Sequence, residues 1–563
     1  MAEADCIPKG APALGRAPSS LLDPESNRRL DVAVALLLTL LIVSFHIIRA
    51  IKGGGLWRDE AASAHLATAC SIKEVISNSQ HELFPALFPE MLRVYCWIGG
   101  RSDAAMRIFG MFVGISILAA LWLNMWLIRR GVPLLSLALL GFNGAFIQWG
   151  DAIRGYGLGI LFILLTVGLL WRVTEQPDAR RIVAAAAAAI GSVQCLFNNS
   201  VLLLSISLGA MAVTTMRRGQ SRQTLIVLGI GIAAALSLLP YLGPLRHVRE
   251  WDMLVRSAAG SGSLWLKLNE ALSASGWWNS WIWLLLCVAG LLVLIHAILK
   301  SYSQKAKLRH RHLFLFCGVA VIASIGIYLG FLGAVGYPTQ PWYYLALMAV
   351  VATCLDALFD SLQRHRWARI SRIAVAVAIA VFSFLPTLRQ VQVRQSNVDL
   401  VAAKIHQLAA KEDLIIVSPW YVGVSFNRYH AGPQVWMTVP PIDSHKVHRY
   451  DLIKSQMTLP DQNEPVRPLL ENIAKTLKAG HRVWVAGEVR LFAPGETVPS
   501  LDPAPDKTWG WQDEAYTIMW AGKTTANLQF SSQHMQVIPL GFSGPVNRFE
   551  NLELRVFEGW SGL

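Results

Sequence analysis

Charge is scarce in this chain. Asp, Glu, Lys and Arg make up 15% of its 563 residues, against roughly 25% in an ordinary soluble globular protein. Cysteine is thin as well. The seven sit at 6, 70, 96, 195, 287, 317 and 354, so no disulfide framework can support anything beyond Cys354. Cys70 and Cys96 alone share a plausibly oxidising loop, where a bridge or buried free thiols both fit. There is no Rossmann-type glycine fingerprint, and no metal-ligand spacing appears near the C-terminus. A nucleotide-binding domain and a zinc-type scaffold are thereby excluded.

What the chain has is apolar run after apolar run, 54% hydrophobic in all. A membrane span needs roughly 20 mostly apolar residues. By that measure about eleven spans are predicted: Asp31–Arg49, Ala104–Ile128, Val132–Gln148, Gly155–Trp171, Ile182–Phe197, Ser200–Met216, Leu225–Leu242, Trp278–Leu299, Leu313–Leu332, Trp342–Leu358 and Ile373–Leu388. The fold class is a polytopic α-helical membrane protein with a small C-terminal α/β domain. Its expected parts are a disordered cytoplasmic tail (1–27), a transmembrane region (28–388) with a large first outer loop (51–103), and an extracytoplasmic domain (389–563). The first run is too long for a signal-peptide core and lacks a small-residue cleavage site, so it reads as a span that is kept.

The net charge of +14 would suit a nucleic-acid partner if it were one patch, and it is not. Arg28/Arg29, Arg129/Arg130, Arg172/Arg180/Arg181, Arg217/Arg218/Arg222, Lys300/Lys305/Lys307/Arg309/Arg311 and Arg364/Arg366/Arg369/Arg372 fall in alternate connections. The positive-inside rule puts those connections and the N-terminus in the cytoplasm. It puts the Gly53–Arg101 loop, the Gly150–Arg154 corner, the Gly243–Gly276 loop, the Gly336–Pro341 turn and the C-terminal domain outside. The expected location is therefore the inner membrane, with no nucleic acid as partner.

In the first outer loop, Ile72, Val75 and Ile76, then Leu87, Met91, Leu92 and Tyr95, recur at helical spacing, as in short helices lying on the membrane surface. Past the last span, Val398–Ala410 and Arg467–Leu477 read as helices. Leu414–Val417, Val483–Gly487, Gln536–Leu540 and Leu552–Phe557 read as strands, an α/β alternation.

Three outer segments carry acids. GGGLWRDEAASAHL (Gly53–Leu66) puts Arg58, Asp59 and Glu60 where the first span emerges, and one of the two acids could act as a general base. HELFPALFPEMLR (His81–Arg93) carries Glu82. QWGDAIRGYGLG (Gln148–Gly159) carries Asp151, Arg154 and Tyr156 in a tight corner, where ionisable groups at a membrane are costly enough to imply a function. The bland alternatives are solvated loop charges, an amphipathic surface helix, and an Asp151–Arg154 ion pair. Asp103 and Arg107 read as a pair at a helix start. His65 and His81 lie near Asp59 and Glu82 in sequence and would permit a divalent metal, although no motif demands one.

LWRDEA (Leu56–Ala61), HELFPAL with MLRVYCWIGGRSDAAMRIFGMFVGI (His81–Ile115), and WGDAIRGYG (Trp149–Gly157) together resemble the outer-loop stretches of GT-C-type integral-membrane glycosyltransferases. That group includes the dolichyl-phosphate-mannose protein mannosyltransferases and the lipid A aminoarabinose transferases. The resemblance covers roughly the first 170 residues. Phe84 stands where the family has a histidine, Ala86 where it has a second proline, and Trp342 where a late arginine would be. Arg246, Arg249, Arg256 and Lys267 are candidates to replace that arginine.

The resemblance implies a polyprenyl-phosphate-linked sugar donor and a lipid or glycan acceptor. Asp59 would be the base; Glu60, Glu82 and Asp151 would orient donor, acceptor or a metal. Arg58, Arg154, Tyr156, Arg246, Arg249 and Lys267 would meet the donor phosphate. The competing readings are a transporter or lipid-glycan flippase, and a non-catalytic assembly protein.

Overall fold

The computed structural model describes residues 24–217, 221–256, 261–303, 308–363, 365–493 and 496–562. The first 23 residues of the expected tail, Cys6, Arg218, Lys305, Lys307 and Arg364 lie outside these. The first helix, Pro24–Lys52, already begins within the last residues assigned to the tail.

Among the described residues, nine helices are long and apolar enough to cross a membrane. Two predicted spans take other forms. Val132–Gln148 is broken into the helices Leu134–Gly141 and Gly144–Gly150, because the Asn143 side chain accepts the Phe146 N–H and starts a new helix. Ile182–Phe197 is the short helix Ala179–Val193.

Both segments nonetheless run from one end of the bundle to the other. At one end Arg129 meets Asp360, Arg372 meets Asp356 and Asp360, and Arg369 meets Asp31. Arg217 there donates to His312 and to the Thr174 carbonyl. At the opposite end Arg154 meets Asp59, and Gln194 reaches Ser237. The chain must therefore cross between Arg129 and Arg154, and again between Thr174 and Gln194, which makes eleven traversals. Arg129, Arg217, Arg369 and Arg372, four of the basic residues that the sequence assigns to one side, gather at one end.

The first outer loop folds into the short helices Arg58–Leu66, Ile72–Ser77, Ser79–Glu82 and Leu87–Gly99. The last leaves Val94, Trp97 and Ile98 exposed, the apolar face expected of a helix resting on a membrane. No disulfide forms: Cys70 is exposed and Cys96 buried, both as free thiols.

Beyond Val391 lies one five-stranded sheet built from β1 (Leu414–Ser418), β2 (Val435–Thr438), β3 (Val483–Gly487), β4 (Ser532–Val537) and β5 (Leu554–Trp560), in the order β2-β1-β3-β5-β4. The first three are parallel, and β5 and β4 join antiparallel. Strands β1 and β3 are buried on both faces, which is why they read as unbroken apolar runs. Leu414 and Ile416 pack on Leu469, Ile473 and Trp520, whereas Ile415 and Val417 pack on Val398, Val401 and Ile405. Sequence reading misses β2, an edge strand of four residues that runs from exposed Val435 to buried Thr438, and the helix Asp513–Ser531, whose apolar stripe is weak.

This sheet region is fastened to the outer end of the bundle. Arg428 donates to Asp103, and the Tyr429 hydroxyl donates to Asp103 Oδ2 at 2.6 Å while accepting the Leu56 N–H. Asp103 and Arg107 thus do not pair with each other; each is taken by a partner distant in sequence.

Candidate active site

The helix Arg58–Leu66 is set by Glu60. Its carboxylate is fully buried and takes Arg107 in a two-pronged ion pair at 2.6 and 2.9 Å. Oε1 also accepts the Ile153 N–H at 2.9 Å, and Oε2 accepts the Trp57 N–H at 3.3 Å. With every lone pair engaged, Glu60 has nothing left for a substrate. Instead it bolts the first loop to the Gly150–Arg154 corner, which corrects its assignment as a residue that orients substrate.

Asp59 is the next residue, and it faces differently. Its carboxylate is 18% exposed, with Arg154 Nη2 at 3.6 Å, His448 Nε2 at 3.6 Å and Arg58 Nε at 3.9 Å. These separations are ion-pair distances too long for direct hydrogen bonds. Of the acids singled out by sequence, Asp59 alone combines partial exposure with cations on more than one side.

Glu82 lies behind it. Arg154 Nη1 donates to Oε2 at 2.6 Å, and both the backbone N–H and the ring Nδ1 of His448 approach Oε1, at 3.1 and 2.8 Å. Burial alone would raise this carboxyl, but His448 and Arg154 outweigh it and hold the group at about 2. Leu83, next in the chain, takes a left-handed φ of +54°, ending the short helix so that Glu82 points inward.

Arg154 links the two acids. Besides Glu82 it reaches the Asp59 carbonyl and Ser63 Oγ, both at 3.2 Å. Its guanidinium lies 4.3 Å from the centre of the Phe84 ring, a cation–π contact from the very residue that replaces the family's histidine. Only Nε is left without a partner inside the protein. Phe84 also packs edge-on against Tyr156 at 5.3 Å. Trp342, in place of the family's arginine, joins an aromatic cluster with Trp149 (4.2 Å), Phe549 (5.6 Å) and Trp57 (5.9 Å). It packs; it offers no cation.

Several expected site residues stand elsewhere. Asp151 is buried but turned into the bundle, where both oxygens meet His46 Nδ1 at 2.9 and 2.8 Å, so the alternative of an Asp151–Arg154 pair does not form either. The corner fits because Gly110 and Gly114 face it: a Cβ on either would fall 2.0 Å from the Asp151 carbonyl or 2.2 Å from its Oδ1. Arg246 on the helix Leu242–Val248 and Arg249 just past its end are exposed, and Arg256 is tied to Asp252. Lys267 is held by Glu270 at 3.0 Å. None of the four makes a hydrogen bond or ion pair with the acids around Arg154.

No group of three or more His, Cys, Asp or Glu side chains converges as metal ligands among the described residues. The acids here are matched to guanidinium and imidazole instead, and His81 pairs with Asp451 at 3.8 Å. This donor set does not fit a divalent ion.

Two contributors escaped the sequence reading. His448 arrives from the Pro440–Arg449 loop of the sheet region. Glu550 accepts the Arg58 N–H at 2.9 Å and the Ser396 hydroxyl at 2.7 Å, fixing the start of the helix that bears Asp59. The only hint of His448 was the basic, histidine-rich stretch HKVHRY (His445–Tyr450).

No protein-family profile matches the chain, and no characterised protein matches it by sequence. Solved structures do. ArnT from Cupriavidus metallidurans in the apo state aligns with a TM-score of 0.50 at 13% identity, covering 81% of this chain and 92% of that one. The same protein bound to undecaprenyl phosphate aligns at 0.45 and 14% identity, with the same coverage. The Archaeoglobus fulgidus oligosaccharyltransferase AglB, in complex with an inhibitory peptide and a dolichol-phosphate, aligns at 0.48 and 11%, covering 92% of this chain and 74% of that one. The apo ArnT match shows a shared fold, the GT-C-type architecture that the outer-loop stretches resemble.

Proposed function

We propose that this chain is a membrane glycosyltransferase that moves a sugar from a polyprenyl-phosphate donor to a cell-envelope acceptor on the extracytoplasmic side, with Asp59 as the general base. The observation that carries the reading is the Asp59–Arg154–Glu82–His448 cluster. It holds one partly exposed carboxylate beside a buried Arg154–Glu82–His448 support at one end of a polytopic bundle.

The reaction asks little else of the protein. Asp59 takes the proton of the acceptor hydroxyl, and that oxygen attacks the anomeric carbon. The bond from that carbon to the phosphate oxygen breaks, and the lipid phosphate leaves with the electron pair. A phosphate is already a good leaving group, so positioning and a nearby cation supply most of what is needed. Arg58 is the cation with most freedom. It is 20% exposed, donates to the Phe549 carbonyl at 3.1 Å and lies 4.4 Å from the Tyr421 ring. Arg154 is committed to the two acids and offers only Nε. Tyr156, against Phe84, completes that wall. The exposed apolar face of Leu87–Gly99 suits a donor that arrives from the lipid.

The test is transfer from a panel of undecaprenyl-phosphate-linked hexoses and pentoses to envelope membranes lacking the protein. Asp59→Asn should lower turnover by about 10²–10⁴-fold with normal expression and insertion. Glu82→Gln and Arg154→Ala should impair it too. Full activity in Asp59→Asn would remove Asp59 as base. Movement of intact lipid-linked sugar without cleavage would replace the transferase with a flippase.

A further inference from the structure

Resting on the transferase reading, we propose that His448 is the second member of the base. Its Nε2 receives from Asp59 the proton that Asp59 takes from the acceptor.

The arrangement is a chain of three groups from three separate segments. Glu82 Oε1 lies 2.8 Å from His448 Nδ1, and His448 Nε2 lies 3.6 Å from Asp59 Oδ1. The tautomer follows from the first contact. Glu82 is an ionised acceptor, so Nδ1 must carry a hydrogen, and in the neutral ring Nε2 then bears the lone pair. That nitrogen is buried and has no hydrogen-bond partner within the protein. An unsatisfied buried acceptor is costly unless it is used. Here it faces the one carboxylate expected to become protonated during the reaction.

The step balances. The acceptor O–H bond breaks and Asp59 gains the proton. Asp59 then closes the 3.6 Å gap to hydrogen-bond distance and gives it to Nε2, where the resulting imidazolium lies between two carboxylates, Asp59 and Glu82. The proton later leaves to solvent through the exposed edge of Asp59, restoring the base.

The ring is held for this task. Trp420 and Tyr450 pack around it with ring centres 6.5 and 6.4 Å away. Tyr450 itself stacks on Trp251 at 5.0 Å and 12°, and Gln456 donates to the Pro441 carbonyl at 2.7 Å. The charged and titratable groups around it are Arg58 and Asp59 on the helix Arg58–Leu66, His81 and Glu82 on the helix Ser79–Glu82, Arg154 at the corner, and Arg449, Tyr450 and Asp451 on its own segment. Arg449 is paired with Asp451 at 2.6 Å.

Two substitutions separate this role from mere positioning. His448→Asn keeps a donor near the Nδ1 position for Glu82 but lacks the Nε2 acceptor. His448→Ala opens a space that free imidazole can occupy. With undecaprenyl-phosphate-linked sugars as donors and release of undecaprenyl phosphate as readout, His448→Asn should lose about 100-fold in kcat with KM within about two-fold. The pH profile of kcat in His448→Asn should differ from that of the wild type. Imidazole should restore His448→Ala by about 10-fold or more. Wild-type kcat and pH profile in His448→Asn would overturn the proposal, as would failure of imidazole to rescue a His448→Ala protein that still binds donor. Absence of release by the wild type from every donor would overturn the transferase reading itself, and this proposal with it.

Discussion

Glu60 and Arg107 give the sharpest quantitative expectation. The pair is buried on both sides and joined twice, at 2.6 and 2.9 Å. Opposite charges about 4 Å apart attract by about 4 kcal/mol at an effective dielectric of about 20, and removing one partner of a buried pair costs about 3–5 kcal/mol because the other is stranded. Glu60→Ala also takes the acceptor from the Ile153 and Trp57 N–H groups, each worth about 1 kcal/mol, so it should destabilise by about 5 kcal/mol. Arg107→Met should cost about 3–5 kcal/mol by the same logic. The double variant strands no charge and should cost much less than the sum, leaving a coupling of about 2–4 kcal/mol. Equilibrium unfolding in mixed micelles, followed by tryptophan fluorescence, measures the cycle. If the two costs add to within about 0.5 kcal/mol, Glu60 does not anchor the corner and its assignment here is wrong.

Other perturbations have equally definite outcomes. Glu82 is held at about 2 against 4.5 when unfolded, so it contributes stability above pH 4.5 that is lost as pH falls toward 2. The wild type should therefore open to protease over that window by about 3 kcal/mol, and Glu82→Gln should show little of this acid dependence. Glu550 behaves in the opposite sense: burial pushes its carboxyl from 4.5 up to about 7, against the pull of Arg58. Ionising it opposes folding as pH rises through that range, so Glu550→Gln should raise the thermal midpoint at pH 8 and leave it nearly unchanged at pH 4. Tyr429→Phe leaves the Leu56 N–H without its acceptor and Asp103 Oδ2 without its donor, Arg428 remaining on Oδ1. It should cost about 1–3 kcal/mol and speed proteolysis at the junction of bundle and sheet. In Phe84→Leu the cation–π contact to Arg154 is lost, and turnover should fall by about 2- to 30-fold for about 0.5–2 kcal/mol, with expression unchanged.

Much of the architecture was legible because it follows from local properties of the chain. Length and polarity of a run decide whether it can cross a membrane, so the nine long apolar helices among the described residues could be read directly, as could the placing of Arg129, Arg369 and Arg372 at one end. Strands β1 and β3, buried on both faces, announce themselves as apolar runs. The segments that carry acids were legible too, since ionisable groups at a span end are costly and therefore conspicuous. Asp59, Glu82 and Arg154 do come together.

Which neighbour each charge takes was decided only when the chain folded, because a carboxylate's role depends on what fills its lone pairs. Asp59 and Glu60 are adjacent on one short helix and look alike in sequence, yet one turns outward and the other is locked by Arg107. Asp151, three residues from Arg154, pairs with His46 from the first helix instead. His448 enters from 366 residues away to complete the cluster, and no periodicity or spacing could announce a contact of that range. Local chemistry fixes what can sit at the membrane boundary; long-range packing chooses which acid is left free to act.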